Sequence, residues 1–121
     1  MATIVRSRRV SNSLAEACDL CRARHYIAAA CLAKIVVDHA MSDLALAVKP
    51  DLKRFWAGKR LASFLRSEGA IDGKLSADLA AFANQAYRLI NEPSGRRVDV
   101  QQVIATAAKL RRRLREIQRG L

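Results

Sequence analysis

Between Ser13 and Val48 the chain contains neither Gly nor Pro, and its apolar positions recur at helical rather than alternating spacing. Leu14, Cys18, Cys21, Ala28, Leu32 and Val36 fall on one narrow stripe at steps of three, four and seven residues, and His25 and His39 share it. Ser13 and Glu16 have the spacing of a capping box, in which each side chain satisfies the other residue's backbone amide. A single helix over this stretch would reach ~50 Å at 1.5 Å per residue. A chain of 121 residues makes a narrower globule, so a kink or short break is expected within it. Pro50 sets the far limit, because it biases Lys49 away from helical angles. The remaining helices are expected to pack along this first one.

Three more amphipathic stretches follow. A second helix is predicted to start at Pro50 and Asp51, with Leu52, Phe55, Trp56, Ala62 and Leu65 on its buried side and a stop at Glu68 and Gly69. Residues 70–74 read as a turn around Asp72 and Gly73. A third helix is predicted from Ser76 as N-cap, with Leu75 as a hydrophobic staple and a stripe of Leu79, Phe82, Ala83, Ala86, Leu89 and Ile90. It ends before Pro93, and residues 93–97 form a loop. The fourth helix runs from about Asp99 to Arg119 on a stripe of Val100, Val103, Ile104, Ala107, Leu110, Leu114 and Ile117. The expected fold is all-α: an antiparallel four-helix bundle with a long first helix, occupying residues 13–121, preceded by a basic N-terminal arm at residues 1–12.

Composition agrees. Hydrophobic residues make up 51% of the chain but aromatic ones only 5%, so the apolar content is mostly the Ala and Leu that favour helices. The length suffices for a core without a metal or disulfide staple. Three cysteines, an odd number confined to one predicted helix, point to reduced thiols and a cytoplasmic protein rather than a secreted scaffold. No apolar leader is visible at the N-terminus, and Tyr26–Leu32 is too short a low-charge stretch to span a bilayer, so no membrane association is expected.

The net charge of +11 changes the picture more. Residues 1–12 carry +3 and residues 96–121 carry +6, which leaves the middle nearly neutral. Basic ends on a neutral body suggest an anionic partner, RNA or DNA; a solubilising basic surface has the same composition. In the fourth helix Arg112, Arg115 and Arg119 are spaced i, i+3, i+7 and share one flank. With Arg96 and Arg97 of the preceding loop they are the candidate nucleic-acid contacts, since guanidinium groups can take phosphates in bidentate fashion. The same arginines also suit the negative end of the helix dipole, which needs no partner.

Two further groupings bear on chemistry. Asn84, Arg88 and Asn91 share a face of the third helix and are a candidate polar cleft for a phosphate; a solvated helix face is the simpler reading. Cys18, Cys21 and His25 carry zinc-ligating atoms, but no second ligand pair exists elsewhere, so reduced, metal-free cysteines are expected and no cofactor is assigned. No nucleophile sits beside a base, no phosphate-binding glycine loop is present, and the acids are scattered singly; no catalytic residue is assigned.

From Leu61 to Leu114 the order of features resembles the second half of a HEPN domain (higher eukaryotes and prokaryotes nucleotide-binding). The features are an apolar helix ending in residues 65–69, a short turn at 70–73, a helix ending in Arg88-Leu-Ile-Asn91, a polar loop, and an amphipathic helix beginning at residues 98–103. In many HEPN families the third helix ends in an Arg, an adjacent polar residue and a His four to six residues on, which together form an RNase site shared across a dimer. Arg88 and Asn91 stand at comparable positions, but no His follows His39. The resemblance therefore implies the helical fold without the cleavage chemistry. It implies a non-catalytic module binding a protein or RNA partner. The alternative is a sequence-nonspecific nucleic-acid binder gripping through the basic C-terminal helix, with an active RNase third. A homodimer is also expected, because HEPN-like domains commonly pair and because the first helix carries more apolar surface than three short helices cover.

Overall fold

In a computed structural model, residues 13–52, 58–92 and 96–121 are described, and every regular element among them is helical. The predicted N-terminal arm, Phe55 and Trp56, and residues 93–95 of the predicted loop lie outside them. The helices are α1 over residues 13–22, α2 Tyr26–Val48, α3 Gly58–Ser67, α4 Gly73–Asn91 and α5 Arg97–Arg119. Ser13, the first described residue, is already helical, so its capping box has no described boundary to be judged against.

The break expected in the first helix falls at residues 23–25. His25 N–H donates to Leu20 O at 2.8 Å and Arg24 N–H to Cys21 O at 3.1 Å, while Arg24 takes φ 67°. These are the two bonds and the left-handed residue of a Schellman stop. The break also turns the buried face. The core side of α1 is Leu14, Ala17 and Cys21, whereas that of α2 is Ala29, Ala30, Ala33, Val36, Val37, Ala40, Met41, Leu44 and Ala45. Relative to an uninterrupted helix, the buried face of α2 is rotated by about 150° at helical pitch. This corrects the single stripe read from the sequence: Ala28, His25 and His39 are exposed and Leu32 is half-buried.

α2 is the hub, in contact with α3, α4 and α5. Burial on several sides explains why its apolar arc is about half the helix circumference rather than a narrow stripe. Five of its nine buried residues are Ala, and such small side chains allow helix axes to approach closely. Larger side chains, including Met41, Leu44, Leu61, Leu65, Leu79 and Leu114, fill the space between helices. Each contributes on the order of 2 kcal/mol by leaving water. Among the described residues, no polar or charged residue is fully buried.

Three helix starts differ from expectation. Pro50 does not open a helix; it occupies the second position of a turn in which Leu52 N–H donates to Lys49 O at 3.1 Å. Pro is preset for that position of a β-turn as readily as for a first helical turn. Gly58, the first described residue of α3, has its N–H satisfied by another helix: Asp38 Oδ1 of α2 accepts it at 3.0 Å, while Asp38 Oδ2 holds Lys34 Nζ at 2.7 Å. The N-cap of α4 is Asp72, not Ser76: Asp72 Oδ1 accepts from Leu75 N–H at 2.8 Å. A carboxylate there satisfies an orphan amide and complements the positive end of the helix, both of which favour it over a hydroxyl a turn later. α5 begins at Arg97, two residues earlier than read. Asp99 Oδ2 accepts the Arg96 N–H at 3.4 Å, a long cap made in one direction only, because a guanidinium cannot accept in return.

The stripes of α4 and α5 stand as predicted. Leu79, Phe82 and Ala86 are buried with Ala83, Leu89 and Ile90 half-buried, and all seven stripe residues of α5 are buried or half-buried.

Candidate nucleic-acid interface

α5 carries the densest positive charge of the described residues. With Val100 taken as the reference direction of the buried stripe, Arg115, Arg119 and Arg112 follow one another around one flank at about 60°, 100° and 120°. Arg112 and Arg119 are exposed and Arg115 is half-buried. Arg113 lies elsewhere on the helix and reaches Glu116 at 3.8 Å, an exposed pair of little strength. The flank arginines have no carboxylate partner among the described residues.

A fourth arginine, not assigned from the sequence, extends this flank inward. Arg111 falls at about 20° at helical pitch, between Val100 and Ile104 on the buried stripe itself. It is half-buried, and its Nη1 is shielded from solvent with no hydrogen-bond partner among the described residues. Burial, and then the charge of Arg115 one turn on, hold its guanidinium below the usual arginine value. An unpartnered donor of this kind is costly unless something accepts from it. The sequence signal was available: Arg111 interrupts the core spacing of Ile104, Ala107 and Leu114, where an apolar residue is expected.

The other candidates sit apart. Arg96 and Arg97 are exposed at the opposite end of α5 from this flank cluster. Asn84, Arg88 and Asn91 are all exposed, and Asn91 Nδ2 donates to Tyr87 O at 2.8 Å, closing the last turn of α4. Cys21 is buried and Cys18 half-buried on α1, whereas His25 is exposed in the break. No group of three or more His, Cys, Asp or Glu among the described residues is arranged to hold a metal ion. No helix among them is long and apolar enough to cross a membrane.

α1 lies against the first half of α5. Cys21 Sγ approaches Arg97 O at 3.9 Å, and the two helices enclose a groove of about 440 Å³. Its walls are Leu14, Ala15, Cys18, Cys21 and Arg22 from α1, and Arg97, Gln101, Ile104, Ala105 and Ala108 from α5.

Compared with protein-family models, curated proteins and solved structures, the chain finds no match. The HEPN resemblance therefore rests on its own residues.

Proposed function

We propose that this protein is a non-catalytic helical module that binds RNA through the phosphate backbone, with α5 as the grip. The observation that carries this reading is the arginine flank: Arg111, Arg112, Arg115 and Arg119 lie within an arc of about 100° and lack carboxylate partners among the described residues. Arginines in register along a helix can track successive phosphates, and each offers a planar fork that matches two phosphate oxygens. Arg111, half-buried beside that flank, adds a further positive charge to it. Aromatic side chains are absent from α5, so base stacking is not available there and little sequence preference follows. The HEPN-like order of elements, an antiparallel bundle and a cytoplasmic setting belong to the same reading. The missing His after Arg88 makes the module a binder rather than a nuclease.

The test is fluorescence anisotropy with a generic single-stranded RNA across a salt series, using the wild type and an Arg112→Gln, Arg115→Gln, Arg119→Gln triple variant. Three phosphate contacts predict a log–log slope of roughly −2 to −3 against salt, largely lost in the variant. Absence of binding at low salt, or an unchanged slope in the variant, sinks the reading.

A weak homodimer is part of the proposal, supported by the outer side of α2. Ile27, Ile35 and Leu46 are exposed there within an arc of about 100° at helical pitch. Apolar groups aligned on one helix face favour a self-complementary contact. Sedimentation showing only monomer at high micromolar concentration removes it.

A further inference from the structure

We infer that the groove between α1 and α5 is a binding site for a single-chain amphiphile with an anionic head, a free fatty carboxylate. Its volume of about 440 Å³ lies in the range of small-molecule sites. Its polarity runs in one direction. The Cys21–Arg97 contact fixes one end, and Arg22 and Arg97 both line the groove at that end. Along α1 the walls then pass through Cys18 to Ala15 and Leu14, and along α5 through Gln101 to Ile104, Ala105 and Ala108. Among the described residues, the far end is therefore wholly apolar.

This ordering suits a carboxylate at the arginine end and an alkyl chain toward Leu14 and Ala108. Arg97 has no ion-pair partner among the described residues, so its guanidinium is available to an anion. Arg22 Nη1 holds Asp19 at 2.9 Å, but both side chains are largely exposed, and such a pair yields readily to a better-shielded partner. Gln101, one turn beyond Arg97, can donate to the second carboxylate oxygen. Three of the five residues at the apolar end are Ala, whose size leaves the groove open. The Cys18 thiol is half-buried in the wall, which makes it a reporter of occupancy.

The site is tested on the full chain by calorimetry with decanoate, decanol and decyltrimethylammonium. Decanoate is expected to saturate one site. Decanol should bind about tenfold more weakly, for want of the charge-assisted bonds, and the cation should not bind. Arg97→Gln should cost decanoate about tenfold and leave decanol unchanged. Ala105→Trp, which fills the groove, should abolish both. Decanoate should also slow N-ethylmaleimide labelling of Cys18 but not of Cys31, which lies on α2 outside the groove. This labelling decides the matter if the Trp variant does not fold. Equal binding of decanoate and the cation, an Arg97→Gln variant with wild-type affinity, or unprotected Cys18 overturns the proposal. So does binding to anionic phospholipid vesicles without binding of free decanoate, which would mark a membrane surface instead. The triple variant of α5 should bind decanoate as the wild type does, so this proposal and RNA binding fail separately.

Discussion

Two junctions in this molecule are closed by the same backbone bonds and written in different residues. Where α3 ends, Ala70 N–H donates to Leu65 O and Gly69 N–H to Arg66 O, both at 3.0 Å, with Gly69 at φ 74°. Where α1 ends, His25 and Arg24 make the equivalent bonds to Leu20 and Cys21, with Arg24 at φ 67°. The next helices also differ. α4 is capped by the Asp72 side chain, whereas His25 at the start of α2 makes no side-chain cap. The α3–α4 junction thus has a residue suited to each of its tasks. The α1–α2 junction has an Arg where Gly is easiest and a His where Asp or Ser is best. It must be held by what lies on either side: Cys21 at the end of α1 and Ala29 and Ala30 at the start of α2 are all buried. Packing on both flanks fixes the break, and local preference follows at a cost of about 1 kcal/mol for the left-handed Arg.

The largest expected effect is on the well-written junction. Gly69→Val should lower stability by about 2 kcal/mol, because a β-branched residue is strained at positive φ. A Cβ there meets no atom within 4 Å, so the loss reads backbone strain without a clash. Denaturant unfolding with an unchanged m-value checks it. A loss below half of that would mean that the chain relaxes around the turn, and that the two junctions differ less than their residues suggest.

Next is Asp72→Ala, which removes the cap of α4 and should cost about 1 kcal/mol. Asp72→Asn should keep the hydrogen bond and lose only the charge at the helix start, a few tenths of that. Comparison of the two in thermal or urea unfolding separates bond from dipole. Equal losses in both would assign the whole effect to charge.

How much of this could be read in advance follows from the same contrast. The α5 stripe and the end of α3 at Gly69 were legible, because periodicity and a glycine stop are written within a few residues. The α2 core was not. An uninterrupted reading from Ser13 carries the phase of α1 past Arg24, and so places Ala28 inside and Ala33 outside the stripe. Nothing local at Ala23-Arg24-His25 announces a stop; only the length of the helix did. The tie between α2 and α3 was hidden for a different reason. The Gly58 amide bonds to Asp38, twenty residues away, and a bond supplied by another helix leaves no mark in the flanking sequence. In the candidate interface, Arg112, Arg115 and Arg119 were legible as a spaced set. Arg111 is hidden in the sequence because it stands on the apolar stripe, where a charge reads as an interruption rather than as a site.

The smallest expected effect comes from rewriting the α1–α2 junction in the manner of the other. Arg24→Gly relieves the left-handed strain but also adds backbone freedom to the unfolded chain, so the two contributions oppose. The balance should be a gain of about 0.5 kcal/mol, since the strain relieved is about 1 kcal/mol or more. His25→Asp offers α2 the carboxylate it lacks, but His25 sits at ψ 69°, short of the extended angles from which an N-cap reaches the amides two and three residues on. Its gain alone should be only a few tenths of a kcal/mol. In the double variant, the glycine lets the backbone at residue 25 adjust toward extended angles, so the gains should exceed their sum. Urea midpoints of the four species form a cycle that measures this coupling. Strict additivity would show that packing of Cys21 and Ala29 already clamps residue 25, leaving the cap no freedom to form.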